Sequence, residues 1–451
     1  MQPAAVGAVE PVPLPPGENR PLATLLALRR DPLRFLERIA ARYGDIAQLK
    51  VGPYRLVFVN HPELVHEVLV AKAASFAKGR ILEQTREVFG QGLLTSEGEL
   101  HHRQRRLIQP AFHRRRIEAY AAAMSADAAA AAARWRDGET LDVAREMTRL
   151  TLRIVARSLF SVDVEEDEAR EVGQALDALV AAFDVVLVPF QSLLQKLPLP
   201  SFRRARQARA TLDALVYRLI AERRRTGGGE DLLSLLLAAR DEEGSGMDDR
   251  QVRDEVLTLF LAGHETTANA LTWTWYLLAR HPQAEARLHA EIDTVLGDRL
   301  PGADDLPRLT FTRQVLAESM RLYPPAWAIS RRTIAPVSLN GYAVPAGSGV
   351  LTSPWVGHRD PRFFPDPLSF KPERWTESFE AQLPKLAYFP FGGGPRICIG
   401  MGFAWMEGIL LLAALGRRWT MRLAADEAVE PYPRITLRPQ GGVQVRLQRR
   451  N

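Results

Sequence analysis

The chain is poor in thiols: its 451 residues include one cysteine, Cys398. That excludes an internal disulfide, a structural zinc site built from several thiolates, and an iron–sulfur cluster that needs four. Long apolar runs are also missing. Stretches such as Ile409–Leu415 fall far short of the ~20 residues that span a bilayer, so no transmembrane anchor is expected. No charged start followed by an apolar core marks a signal peptide, and the N-terminus runs instead through Pro-rich sequence, Pro11–Pro16. A cytoplasmic protein is the expectation. Charge of one sign is not in excess: 59 Lys and Arg stand against 53 Asp and Glu, and the acids are spread along the chain, so nucleic-acid binding is not expected. Internal repeats and Gly/Ser linkers are absent as well.

What remains is a globular composition, 46% hydrophobic and 25% charged. Apolar residues at helical spacing predict helices over Pro32–Ile39, Tyr120–Trp135, Glu146–Leu159 and Arg203–Arg224, after which Gly227, Gly228 and Gly229 break the chain. Alternation over Ile46–Val51 and Arg55–Val59 predicts a hairpin turning at Gly52 and Pro53. Short strands are expected around Val337–Val344 and Arg434–Leu447. The fold class is mainly α with a minor β region.

The sharpest motif is Phe391-Gly392-Gly393-Gly394-Pro395-Arg396-Ile397-Cys398-Ile399-Gly400. Its glycines allow the backbone to approach a flat ligand closely and to present a sulfur at a fixed point. Phe403, Ala404, Glu407, Leu411 and Leu412 then recur at helical spacing, so Cys398 precedes a helix whose N-terminal dipole favours thiolate. An inert buried cysteine beside a turn is the competing reading. A phosphate-cradling loop is excluded, because no Lys-Ser or Lys-Thr follows the glycines.

A second motif, Ala262-Gly263-His264-Glu265-Thr266-Thr267, sits inside a long apolar segment from about Asp254 to Leu278. Glycine and two threonines in mid-helix lower helix propensity, so a bulge or widened turn is expected there. An acid beside an alcohol can relay protons to a bound oxygen species. A zinc-protease reading fails, since the fourth residue after His264 is Ala268. A helix-capping role is the plainer alternative. Third, Glu318 and Arg321 lie three apart on one face of a helix ended by Tyr323-Pro324-Pro325, a spacing that on most surfaces makes a weak solvated pair. Fourth, His101-His102-Arg103-Gln104-Arg105-Arg106 and Arg114-Arg115-Arg116 offer cations that pair with carboxylates or form a solvated face.

The loop around Cys398 resembles the haem-binding loop of the cytochrome P450 family, matching at Phe391, Gly392, Gly394, Arg396, Cys398 and Gly400. The other motifs follow in the family's order from about residue 98 to 407, with His358-Arg359-Asp360-Pro361 as further punctuation. The resemblance implies one large domain over 21–451, preceded by a Pro-rich coil over 1–20. It implies that Cys398 ligates the iron of haem b, whose thiolate ligation favours O–O cleavage. Glu265 and Thr266 become the oxygen-activating acid and alcohol. His101, Arg105, Arg331 and Arg396 become propionate contacts, with His101 where many members carry Trp, and Ala262, Phe391, Gly392, Gly400 and Ala404 become further cofactor contacts. Glu318, Arg321 and Arg374 become a buried network under the haem loop.

The implied reaction inserts one atom of O2 into an apolar substrate such as a fatty acid, terpenoid or carotenoid. Electrons come from a separate ferredoxin or flavodoxin with its reductase, which docks on the basic face. The alternatives are a peroxide-driven enzyme on the same scaffold, a non-catalytic haem-binding or sensor protein, and a reaction without net oxygenation. Substrate-pocket candidates are Phe260 and Leu261, Ala326, Trp327, Ala328 and Ile329, and the stretch Arg80–Leu94, with Phe183–Arg225 as a roof; at each place simple core packing competes.

Overall fold

The computed structural model describes residues 13–160, 171–176, 178–179, 200–227, 229, 231–426 and 428–450. Near the N-terminus, β1 (Gly17–Glu18) is followed by α1 (Pro32–Tyr43), which Asp31 caps by accepting the Arg34 N–H and which ends at Gly44 with φ of 76°. The predicted hairpin is present as β2 (Ile46–Val51) and β3 (Tyr54–Val59). With β1, β4 (Phe76–Lys78) and two later strands it forms a six-stranded sheet. Because Gly17 and Glu18 pair in parallel with Gln48 and Leu49, the expected coil over 1–20 is corrected at its end: sheet pairing begins before residue 21. The rest of that coil up to residue 12 lies outside the described residues.

The helical body comprises α2 (Gly98–Ile108), α3 (Ala121–Arg134), then β5 (Thr140–Asp142) and α4 (Val143–Phe160), α5 (Pro200–Thr226), α6 (Asp249–Arg280) and α7 (Thr310–Leu322). After it come β6 (Ile329–Thr333), β7 (Gly349–Thr352), α8 (Met401–Gly416), β8 (Trp419–Leu423) and β9 (Gln444–Arg449). Strand order in the large sheet is β1-β2-β3-β7-β6-β4, and a second sheet runs β8-β9-β5. Part of the suggested roof, residues 183–199, lies outside the described residues; the remainder, residues 200–225, belongs to the helix α5.

The longest helix among the described residues, α6, is buried on nearly every face and lies inside the molecule, against α4, α5, α7 and α8. Asp248 caps it by accepting the Gln251 N–H. The helix runs unbroken, which corrects the expected bulge. The Thr266 hydroxyl that was to disturb it is satisfied along the helix: Thr266 Oγ1 donates to Ala262 O at 2.8 Å. No helix among the described residues is long and apolar enough to cross a membrane.

Candidate active site

Accessibility returns in the middle of α6. Residues 252–261 and 267–278 are buried, yet Ala262 is exposed and Gly263 and Thr266 are half-exposed. An exposed side chain at the centre of a buried helix requires an internal recess. Gly263 is demanded by packing, since a Cβ there would lie 2.9 Å from Val155 Cγ2 of α4. Thr151 Oγ1, also on α4, donates to His264 O at 3.0 Å and fixes this turn.

The cysteine loop is shaped by its backbone. Cys398 N–H donates to Phe391 O at 3.0 Å, and Arg105 Nη1 of α2 donates to Ile397 O at 2.8 Å. Gly394 has φ of 67°, and a Cβ there would lie 1.9 Å from Leu69 O, so only glycine fits. The Cys398 side chain is exposed although protein surrounds it, as at the floor of a recess. Burial pushes its thiol up, against the Gly400 N–H and the Arg105 guanidinium, which both pull it down. Desolvation therefore opposes the preference for thiolate that the start of the following helix supplies, and a bound metal cation would offset it.

Beside the loop lies an imbalance of charge. Lys78 and Arg331 stand directly opposite one another on β4 and β6. Like charges so placed are destabilising unless an anion joins them. His101 is buried with Nδ1 unpartnered, and Arg396 pairs with Glu97 and donates to Ser96 O at 3.2 Å. Burial, with Arg396 and its neighbours adding repulsion, pushes Lys78 down to about 6, His101 to about 3 and Arg331 to about 10. Two carboxylates arriving here would relieve that repulsion, so the residues present fit the propionate edge of a haem. Lys78 escaped the sequence reading because a lysine ending a short strand carries no motif; its signal is visible only once the cross-strand register is known.

The acid–alcohol pair is splayed. Thr266 borders the recess, whereas the Glu265 carboxylate turns toward the C-terminal strands, where Oε1 accepts from Thr436 Oγ1 at 2.5 Å and pairs with Arg438 at 2.8 Å. Asn269 Nδ2 donates to Thr436 Oγ1 at 3.0 Å and steadies the arrangement.

Glu318 and Arg321 have no exposed surface and form a bidentate pair, with both bonds at 2.8 Å. Arg374 Nε, Trp375 Nε1 and the Lys371 N–H also donate to Glu318, at 3.0, 2.9 and 3.0 Å. Arg321 in turn donates to the carbonyls of His358, Pro367 and Ser369. His358 Nε2 accepts the Phe389 N–H at 2.9 Å, which links the network to the start of the cysteine loop.

Of the pocket candidates, Ala326, Ala328 and Ile329 are half-buried, and Ile329 lies against Gly392. Phe260 and Leu261 are buried in the largest core cluster, so the open face of α6 belongs to Ala262, Gly263 and Thr266. Trp327 is likewise corrected: its Nε1 donates to Arg434 O at 2.8 Å and its ring packs with the α1 and β2 core. Phe391 is half-buried against Trp405, and the Ala404 N–H donates to Gly400 O at 2.9 Å as α8 begins.

Glu407, further along α8, has no exposed surface and no hydrogen-bond partner on either oxygen. Burial pushes its carboxyl up to about 8 from an ordinary 4.5. Between those values the unfolded chain is ionised and the folded chain is not, so stability falls as pH rises through that window. Glu407→Gln is expected to raise the thermal midpoint at pH 8 by the equivalent of a few kcal/mol, about 2–4, with the gain shrinking toward pH 5. Equal midpoints for variant and wild type at pH 8 would refute this.

Residues 13–446 match the Cytochrome P450 family. The chain is 43% identical to cyclooctatin synthase of Streptomyces melanosporofaciens over 91% of its own length and 90% of the relative's. It is 42% identical to that organism's cyclooctat-9-en-7-ol 5-monooxygenase (94% and 90%), and 38% identical to pentalenene oxygenase of Streptomyces avermitilis (94% of each). Among solved structures, the cytochrome P450DA heme domain aligns with a TM-score of 0.87 at 29% identity over 98% of each chain. A lone thiol at the floor of a recess, a cluster of cations short of anions, and kinship over the whole described body meet in one conclusion: this chain belongs to the cytochrome P450 family and is a haem-thiolate monooxygenase that acts on apolar substrates.

Proposed function

We propose that this protein hydroxylates cyclic terpenoids in the cytoplasm, with Cys398 holding haem b and with electrons from a separate ferredoxin or flavodoxin and its reductase. The observation that carries the reading is the opening at Ala262, a small apolar side chain beside the Thr266 hydroxyl, where an apolar ring system can rest. The terpenoid relatives supply the substrate class. The bound haem supplies activation of O2.

The chain's own residues deliver protons and exclude water. Thr266 Oγ1, bonded to Ala262 O in this state, must exchange that partner to donate into the recess. Glu265 sits one residue before it, held by Arg438, whose side chain is 32% exposed and so connects the acid to solvent. An acid–alcohol relay of this kind serves O2 and has no task with peroxide, which arrives already reduced. His101, Arg105, Arg331, Arg396 and Lys78 hold the carboxylates of the cofactor, and Glu318, Arg321 and Arg374 support the loop from below.

The test supplies the haem-loaded protein with a surrogate ferredoxin and reductase and offers pentalenene, a macrocyclic diterpene alcohol and a long-chain fatty acid. The expected result is a terpenoid product carrying one added oxygen; oxidation of the fatty acid alone would overturn the substrate class. Thr266→Ala should consume O2 at near the parent rate while product per O2 falls about tenfold. Undiminished coupling in that variant would sink the relay.

A further inference from the structure

Two tryptophans and two tyrosines, side chains that give up an electron readily, are gathered on the flank of α6. Trp273 and Tyr323 stack face to face, with ring centroids 4.0 Å apart and planes inclined by 7°. Tyr276 stands edge-on to both, at 5.6 and 6.2 Å, and Trp355 stands edge-on to Tyr323 at 6.1 Å. Each separation is that of direct aromatic contact. The rings therefore form a continuous series from α6, through the residue that follows α7, to the short helix Pro354–Gly357 after β7.

The two ends of the series differ. Trp273 follows Thr266 by seven residues, which puts it two turns, about 10 Å, along α6 and on the same side of that helix. It has no exposed surface, and its Nε1 donates to Leu437 O at 2.9 Å, beside the Thr436 that holds Glu265. At the other end Trp355 Nε1 donates to Glu37 Oε1 of α1 at 2.7 Å, and Glu37 is half-buried. The Trp355 indole proton thus has a carboxylate partner within reach of solvent. The Arg359 guanidinium lies over the same ring, 3.3 Å from its centroid. A cation there disfavours added positive charge on the indole. An oxidised Trp355 is therefore driven to lose its N–H proton, and Glu37 is placed to take it.

Packing alone asks for neither end. Leucine or phenylalanine would fill the space between α6 and α1 without burying indole N–H groups that need acceptors. None of these rings has a task in holding the cofactor or in delivering protons.

We propose that Trp273, Tyr323 and Trp355 carry oxidising equivalents out of the haem site when O2 is activated and no substrate is oxidised, with Glu37 as the proton acceptor at the outer end. This rests on the monooxygenase activity and not on the terpenoid reading. In one passage an electron moves inward from Trp355 by way of Tyr323 and Trp273, and the indole proton passes to Glu37. A thiol reductant then returns a hydrogen atom to Trp355, and Glu37 releases its proton to solvent. Two passages supply the two electrons that, with two protons, turn the unspent oxygen atom into water. Two thiols become one disulfide, so atoms and electrons balance.

The experiment mixes the haem-loaded protein with a peracid, without substrate or reductant, freezes samples at intervals and follows them by electron paramagnetic resonance. Haem absorbance recorded in parallel shows that the oxidant has reached the cofactor, so a missing radical counts against the rings and not against the haem site. The wild type is expected to show a neutral tryptophan radical, and mass spectrometry of its digest should find Trp355 oxidised ahead of the chain's other tryptophans. Trp355→Phe keeps a ring in place and is expected to lose that radical and to bleach its haem faster. Glu37→Gln keeps an acceptor for the indole N–H yet cannot take its proton, and is expected to lose the neutral radical as well. An undiminished radical in Trp355→Phe overturns the conduit, and a wild-type radical in Glu37→Gln overturns the proton step. The digest of the wild type needs no variant: oxidation confined to tryptophans outside the series would overturn the proposal by itself.

Discussion

Glu318→Ala is expected to yield a protein that neither retains haem nor melts cooperatively near the parent temperature. Four donors lose their acceptor at once: the guanidiniums of Arg321 and Arg374, the Trp375 indole and the Lys371 N–H. Arg321 has no exposed surface, so its charge is left buried and uncompensated, a loss of about 3–5 kcal/mol. Against a total stability of about 5–15 kcal/mol, that is a large fraction. The damage reaches the haem through a named route, because Arg321 holds His358 O and His358 holds the Phe389 N–H at the entry to the cysteine loop. Haem-to-protein absorbance and the thermal midpoint check the prediction. A Glu318→Ala protein with parental haem content would show that the network is ornamental to the loop.

Cys398→Ser should fold and yet lose monooxygenase activity. Serine keeps the Cys398 N–H to Phe391 O bond that closes the loop and is close to cysteine in volume, so the cradle survives. What disappears is the soft sulfur donor on which electron release toward bound oxygen depends. The reduced, carbon-monoxide-treated variant should lack the thiolate-type absorption band, and product formation should fall below detection while the thermal midpoint moves little. Retention of the thiolate-type band would remove Cys398 from the metal and return it to the status of an inert buried thiol.

These two residues also show where sequence is sufficient and where it is not. The loop around Cys398 is legible because glycines, an arginine and one cysteine at fixed spacing serve a single geometry, and Gly394 bears this out by its contact with Leu69 O. Glu318 and Arg321 are legible as a pair from their spacing, whereas their burial depends on partners 37–57 residues downstream, which spacing cannot reveal. Lys78 was invisible for the same reason, since its meaning comes from Arg331 across the sheet. Trp327 and the α6 residues Phe260 and Leu261 read as pocket from their position but pack as core. A helix buried on nearly all sides gives no sequence signal for the one face that borders open space. The bulge expected at Gly263–Thr267 failed because threonine hydroxyls can bond back along an intact helix as readily as they distort one.

The aim of Glu265 has a kinetic consequence. Its partners Thr436 and Arg438 lie 171 and 173 residues further along the chain, and β5 meets the segment leading into β9 through Asp142 and Val443, 301 residues apart. Closing such loops adds only a logarithmic entropy cost, yet contacts of this span form late and slow the search for the native topology. The cysteine loop depends on still longer spans, with Arg105 and Ile397 292 residues apart and Ser96 and Arg396 300 apart, so cradle and acid both wait on the late stages of folding. Chains caught short of that stage during refolding would carry neither a finished cradle nor an aimed acid, so cofactor uptake would report the completion of both.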